Sequence, residues 1–390
     1  MFEVFQSIEF QISLLLFVAL IGYFVSIRFG QSIVIGEILV GIIVGPSVLN
    51  LITYTDFVAK LATMGAIFLL FVVGLQTKFK EIFRLRSFAI ALVGVIVPWL
   101  GGFAIAQAFG YPLGQAVFIG TALTATSIAI TAQVLKEMGK LETQVAKAII
   151  GAAVIDDVLA LLALSLSKEF LSQSVSLTNL AVTTAIALAF LAVGLFFGMR
   201  FMNRRLELFD KWAVKHGVEK ATFIAAVAIA FAYALAAEMV GLSAIVGAFI
   251  AGLSLESLKI KSYREGSEYL EAIFASIFFV SLGVLVNVQA ASVAILFILA
   301  LTAVAIATKF IGCFIPARAM GLNNRESAIV GFGMVPRGEI AIIAALFGLT
   351  SGLIGQEVYS AIIVMSLLTT LVAPLFLKHL FLPRNAQQVA

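Results

Sequence analysis

Long apolar runs alternate with short polar segments along the whole chain. A run of about 17 to 25 apolar residues is long enough to cross the hydrocarbon layer of a bilayer as a helix. The runs predict thirteen such helices, over residues 10–27, 31–50, 57–76, 87–109, 115–135, 145–166, 177–202, 221–238, 242–256, 269–288, 292–316, 326–348 and 358–381. The pattern therefore predicts an all-α polytopic membrane protein.

The polar segments between these runs divide into a basic set and a set with little charge. With the N-terminus outside and the C-terminus in the cytoplasm, nearly all of the 25 Lys and Arg residues fall in cytoplasmic loops. The exceptions are Lys60 and Lys168 in outside loops and Lys309 and Arg337 at membrane depth. Because basic loops are retained in the cytoplasm, this asymmetry supports the odd helix number and predicts the orientation. The longest polar stretch, residues 204–220, is predicted to be an amphipathic cytoplasmic linker.

Two of the apolar runs are interrupted at matching places. The fifth run gathers hydroxyl side chains between Thr121 and Ser127, and the twelfth contains Gly and Pro between Gly331 and Glu339, which break a helix. If one repeat starts near residue 31 and another near residue 242, the two breaks fall at similar offsets. Paired interruptions in two halves indicate a transport site between inverted repeats. We therefore expect inverted five-helix repeats, each with one broken helix.

The sixth run contains two adjacent carboxylates, Asp156 and Asp157, close to its middle. A charged side chain at the centre of a membrane helix costs several kcal/mol, about 2.5 or more, so such residues usually have a function. Neighbouring helical residues point about 100° apart, so the two carboxylates face different surroundings. We expect a carboxylate that alternately holds a proton and a small cation, rather than a pair that serves only helix packing.

Composition narrows the possible functions. The mean hydropathy is +1.13, with 62% hydrophobic and 12% charged residues, whereas a soluble domain has about 25% charged residues. The first nine residues contain no Lys or Arg, so no cleavable signal is expected. One Cys and two His leave little for a resident metal or a disulfide framework. We expect no cofactor, no enzymatic activity and no nucleic-acid partner, and the absence of a GxxxxGK[ST] loop disfavours ATP-driven transport.

Hydroxyl side chains beside the first break are candidate ligands. Hard monovalent cations prefer oxygen, which Thr126 and Ser127 supply together with carboxylates and freed carbonyls. Each hydroxyl can instead bond back to its own helix. That second role is expected for Thr121, Thr124 and Thr131.

Other charged residues at membrane depth have competing interpretations. Lys309 lies within the eleventh run and can either snorkel to the cytoplasmic face or pair with one of the two aspartates. Arg337 and Glu339, next to Pro336, are expected to shape the broken twelfth helix rather than to bind the ion. Glu37 and Glu238 lie near ends of their runs and are expected to be interfacial.

Five segments of the chain form a recognisable set: VIGEILVGIIVGP at 34–46, FLLFVVGL at 68–75, TATS at 124–127, AAVIDDVL at 152–159 and GMVPRGE at 333–339. As a set, they resemble the cation:proton antiporter-2 family of monovalent cation:proton antiporters, in its bacterial sodium/proton branch. The likeness covers nearly the whole chain, and the Asp-Asp and Pro-Arg-Gly-Glu segments are its most specific parts.

This resemblance implies one membrane transporter module over residues 1–390, in which the two broken helices cross beside the aspartates. Its dimerisation domain would comprise residues 10–76 and 221–288, and its core ion-transport domain residues 87–166 and 292–381, joined through 177–220. By matching position, Asp157 is the principal carrier of cation and proton, Asp156 pairs with Lys309, and Thr126 and Ser127 line the ion path. The paired acids resemble the electrogenic branch, and the core would move in an elevator-like stroke.

The sequence thus predicts a homodimeric antiporter in the bacterial inner membrane that exchanges cytoplasmic Na⁺, or Li⁺, for external H⁺. The alternatives are a K⁺/H⁺ antiporter of the same family and a sodium-coupled symporter of an organic anion on a similar fold. A passive channel is a third possibility, although it would need no titratable pair.

Overall fold

A computed structural model describes residues 7–77, 85–171, 177–258, 261–285, 295–337, 339–350 and 352–381. Every regular element in these ranges is a helix, which confirms the all-α prediction. In chain order the helices are α1 (Ile8–Arg28), α2 (Ile33–Val44), α3 (Asp56–Leu75), α4 (Leu85–Ala108), α5 (Leu113–Ala122), α6 (Ile128–Glu137), α7 (Gln144–Leu171), α8 (Leu177–Phe197), α9 (Asn203–Lys215), α10 (Lys220–Met239), α11 (Ala244–Leu255), α12 (Lys261–Val284), α13 (Ile295–Ala319), α14 (Asn324–Gly333), α15 (Glu339–Thr350) and α16 (Gln356–Phe381). A single π-helical turn, Gly198–Met202, joins α8 to α9.

Eight helices among the described residues are long and apolar enough to cross a membrane. Helices α2, α5 and α11 are apolar but shorter. The chain is therefore a multi-pass membrane protein, and thirteen crossings stay a prediction.

The tenth predicted run has a different start in the structure. Helix α12 begins at Lys261, eight residues before the predicted start at 269, and ends at Val284. The early polar turn is helical because its side chains bond the end of α11: Tyr263 Oη donates to the carbonyls of Leu255 and Leu258, at 3.1 and 2.9 Å. Carbonyls at a helix C-terminus need such partners, a requirement that hydropathy does not detect.

Corresponding elements recur at a constant spacing along the chain. Helices α2 and α11 both have 12 residues and begin at Ile33 and Ala244, and α5 and α14 both have 10 residues and begin at Leu113 and Asn324. The spacing is 211 residues in both cases, since 244 − 33 and 324 − 113 give the same value. This regularity is consistent with an internal repeat.

The chain divides into two compact units. The first contains Met1–Lys80 and Ala181–Leu285, and its helices pack through glycine: Gly65 of α3 lies directly against the backbone of Phe274 in α12. The second contains Glu81–Leu180 and Val286–Ala390. Its core buries apolar side chains that include Phe118, Leu301 and Met365, and it holds all of the predicted ion-binding residues.

Candidate functional site

The two predicted breaks are present and lie side by side in the second unit. Helix α5 ends at Ala122 and α6 begins at Ile128, whereas α14 ends at Gly333 and α15 begins at Glu339. Backbone groups in such breaks lack helical partners and must find others.

Hydrogen bonds from the first break to the second supply those partners. The backbone N–H of Ser127 donates to the carbonyl of Pro336 at 2.8 Å. Thr126 Oγ1 donates to the carbonyl of Met334 at 3.3 Å, and Thr131 Oγ1 donates to that of Gly333 at 2.6 Å. Direct hydrogen bonds therefore hold the two broken segments together.

Lys309 of α13 lies beside the two broken segments and does not snorkel. Its side chain is 0% exposed, and Nζ donates to Asp156 Oδ1 at 2.9 Å and to the carbonyl of Thr124 at 2.6 Å. The ammonium group thus joins α7 to the first break. Of the two interpretations of Lys309, the structure contains the ion pair.

Asp157 follows Asp156 on α7 and is 5% exposed, so both carboxylates are buried within the second unit. Because the side chains of neighbouring helical residues diverge by about 100°, the two carboxylates point in different directions. Different surroundings for the two acids stay a prediction.

Arg337 is fully buried and holds backbone carbonyls from two elements. Nη1 donates to the carbonyl of Ala125 at 2.9 Å, and Nη2 donates to that of Ala305 in α13 at 3.3 Å. The backbone of Arg337 is bonded to Thr369 and Thr370 of α16. Arg337 thus ties both breaks to α13 and α16, which fits the predicted architectural role. Pro336 contributes its carbonyl to this arrangement, and the side chain of Glu339 lies outside the described residues.

Three buried polar atoms at the site have no hydrogen-bond partner among the described residues. They are Asp156 Oδ2, Ser127 Oγ and Arg337 Nε. Buried polar atoms are nearly always satisfied by protein, water or an ion. The two oxygens are thus suited to bind a small hard cation, whereas no cluster of three His, Cys, Asp or Glu side chains in the described ranges could hold a resident metal.

Some contacts of the site differ from the expectations. Thr121 and Thr124 bond back to their own segment, as expected, but Thr131 bonds across to the second break. The backbone carbonyls of Thr124 and Ala125 accept hydrogen bonds from Lys309 and Arg337. Sequence reasoning missed them, because every residue has a carbonyl and no residue type marks these two. Glu37 is buried within the protein, at 1% exposed, whereas Glu238 is exposed, and their interfacial depth stays a prediction.

Comparisons with known proteins give matches along nearly the whole chain. Residues 14–382 match the family model described as sodium/hydrogen exchanger, transmembrane. The chain is 37% identical over 379 residues to the Na(+)/H(+)-K(+) antiporter GerN of Bacillus cereus, covering 95% of this chain and 96% of GerN. It is 35% identical to the Na(+)/H(+) antiporter of Enterococcus hirae, with 94% and 96% of the two chains covered.

A solved structure shares the fold. The sodium proton antiporter MjNhaP1 of Methanocaldococcus jannaschii superposes with a TM-score of 0.71 over 93% of both chains, at 16% identity. The family match covers most of the chain, and these relatives align along nearly their whole length. The chain therefore belongs to the transmembrane sodium/hydrogen exchanger family.

Proposed function

We propose that this protein is a secondary antiporter that exchanges cytoplasmic Na⁺, or Li⁺, for external H⁺. The observation that carries the proposal is the fully buried ion pair of Asp156 and Lys309 at the crossing of two broken helices, with Asp157 next to it. A buried ion pair adds little net stability, and its charges are costly in hydrocarbon. Its presence is better explained by a function that uses the charges.

The contacts of the pair suggest how the exchange proceeds. Asp157, and the unpaired Oδ2 of Asp156, offer oxygen to a dehydrated cation, together with Ser127 Oγ. The cation competes with a proton for Asp157 and with Lys309 for Asp156. A site that cannot hold proton and cation together couples their opposite movements.

The finer features of the proposal follow the family resemblance. All described ion-binding candidates lie in the second unit, so the site can move as one body in an elevator-like stroke. The adjacent acids Asp156 and Asp157 resemble those of the electrogenic branch, in which more than one proton is exchanged per cation. We further propose that the protein forms a homodimer through the first unit. It would lie in the inner membrane, with its N-terminus outside and its C-terminus in the cytoplasm.

K⁺ is the second candidate substrate. The name of GerN includes both Na⁺ and K⁺, and the same oxygen ligands suit either ion. An organic anion is less well supported, because the acidic pair and the hydroxyls beside the first break suit a bare cation rather than an anion.

The test is transport by purified protein in proteoliposomes that hold a pH gradient. Na⁺, Li⁺ and K⁺ are added in turn, and each ion that the protein transports should dissipate the pH gradient. A potential-sensitive dye should report charge movement. Asp157→Asn should abolish the response, whereas the matched change Glu238→Gln, at an exposed carboxylate, should leave it intact. If no cation moves protons, or if Asp157→Asn transports like the wild type, the proposal is wrong.

A further inference from the structure

Gly94 of α4 packs directly against the α13 side chains that surround the ion pair. A Cβ atom at this position would lie 2.7 Å from Cys313 Sγ and 3.9 Å from both Nζ and Cε of Lys309. The first distance is shorter than real Cβ contacts, so any side chain at position 94 would force Cys313 or α13 to move. Cys313 is one helical turn from Lys309 on the same face, so such a movement reaches the lysine.

The backbones of α4 and α13 approach closely at this level. On the α13 side, a Cβ at Gly312 would lie 3.0 Å from the carbonyl of Val93 and 3.4 Å from Cα of Gly94. In both helices a proline follows the glycine by four residues, at Pro98 and Pro316. Because proline has no N–H, the carbonyls of Gly94 and Gly312 lose their regular helical bonds. At Gly94, the backbone of α4 rather than a side chain therefore faces Lys309.

Lys309 has little freedom in this position. Its ammonium group bonds Asp156 and the carbonyl of Thr124 at 2.9 and 2.6 Å, and its side chain is fully buried. A displacement of a few tenths of an ångström at Cys313 would therefore change at least one of these bonds.

We propose that Gly94 is a positioning residue of the transport site, which sets the place of the Lys309 ammonium group between Asp156 and the first break. This inference rests on the proposed function, in which a cation and Lys309 compete for Asp156. A displaced ammonium group competes less well, so the cation should bind at lower concentration. A purely structural glycine would change stability without changing cation affinity.

The experiment compares Gly94→Ala with a matched glycine substitution and with a rescue. Gly266→Ala, in the first unit, would place Cβ at the same 2.7 Å from a side chain, that of Phe223, far along the chain from the ion pair. Cys313→Ala removes the sulfur that the new methyl group would meet. Sodium-dependent proton movement in proteoliposomes gives the apparent KM and the maximal rate, and thermal unfolding in detergent gives stability.

We expect Gly94→Ala to lower the apparent KM for Na⁺ by about tenfold, which corresponds to a loss of about 1.4 kcal/mol in the ability of Lys309 to compete for Asp156. Adding Cys313→Ala should return the KM to the wild-type value, and Gly266→Ala should leave it unchanged while lowering the unfolding temperature. An unchanged KM in Gly94→Ala, or an equal shift in Gly266→Ala, would overturn the inference. Absence of sodium-dependent transport in the wild-type protein would instead refute the proposed function.

Discussion

The contribution of a charged residue to stability depends on whether it is buried or exposed. Lys309 and Asp156 form a fully buried pair, whereas Lys60 and Asp56 form a pair of the same type with side chains 74% and 82% exposed. Exposed pairs contribute about 0–1 kcal/mol. Removing one partner of a buried pair costs about 3–5 kcal/mol, because the other charge stays behind unpaired.

We therefore predict that Lys309→Met lowers the free energy of unfolding by about 3–5 kcal/mol and that adding Asp156→Asn restores much of it. Thermal unfolding of the purified protein in detergent measures both effects. Lys60→Met serves as the control and should change stability by less than about 1 kcal/mol. Equal losses for the two lysine variants would contradict the prediction.

At the residue scale, the sequence predicts the chemistry of Asp156, Asp157, Thr126 and Ser127 because charges are rare in apolar runs and hydroxyls cluster beside the first break. Their roles as ion ligands stay predictions. The sequence could not choose between snorkelling and pairing for Lys309, since that choice depends on which helix lies opposite it. Gly94 is undetectable without the structure, because membrane helices contain many glycines and only the neighbouring Cys313 makes this one necessary.

The two broken helices are the elements that build the site. Their freed backbone groups are satisfied by bonds between the breaks and by two cationic side chains, Lys309 and Arg337. Arg337 is suited to this task because its planar guanidinium group presents donors in two directions at once, toward Ala125 and Ala305. A lysine has the same charge but a single compact donor group.

We predict that Arg337→Gln destabilises the protein by about 1–3 kcal/mol for each buried carbonyl that it leaves unsatisfied, and that Arg337→Lys has an intermediate effect. The unfolding temperature and sodium-dependent transport should fall together. Arg325 also donates to a backbone carbonyl, that of Leu380, but it is exposed, so Arg325→Gln should cost at most about 0.5 kcal/mol. If Arg337→Gln unfolded at the wild-type temperature, the two carbonyls would not need their donor, and the prediction would be wrong.

A second link joins the segment between α4 and α5 to the first turn of α16. Tyr111, between α4 and α5, donates to Glu357 Oε1 in the first turn of α16 at 3.2 Å. Burial, followed by the charge and hydrogen bond of Glu357, raises the pKa of Tyr111 from 10.0 to about 12. Because the fold favours the protonated phenol, its stabilising contribution is complete below pH 10 and is lost as the pH rises toward 12.

The matching prediction compares the wild type with Tyr111→Phe between pH 8 and pH 12. The wild-type advantage in unfolding temperature should be constant up to about pH 10 and then shrink, since the two proteins differ only in the Tyr111 phenol, whose pKa is higher in the folded than in the unfolded state. A difference that stays constant throughout this range would refute the link.

For the whole molecule, the distribution of Lys and Arg predicts an outside N-terminus. We expect Thr53→Cys, between α2 and α3, to be labelled in intact cells by a membrane-impermeant maleimide, and Glu142→Cys, between α6 and α7, to be protected until the cells are opened. Both positions are exposed. Cys313→Ser supplies the background, because Cys313 is the single cysteine of the chain. The reverse labelling pattern would invert the predicted orientation.

The sequence by itself determined the fold class, the places of both helix breaks and the chemical character of the site. These features follow from local properties, namely apolar run length, helix-breaking Gly and Pro, and the cost of charge in hydrocarbon. The tertiary structure decided which groups meet: Lys309 with Asp156, Arg337 with two carbonyls, and Gly94 with Cys313. Such contacts join residues far apart along the chain and include backbone atoms that every residue carries, so no residue type in the sequence marks them.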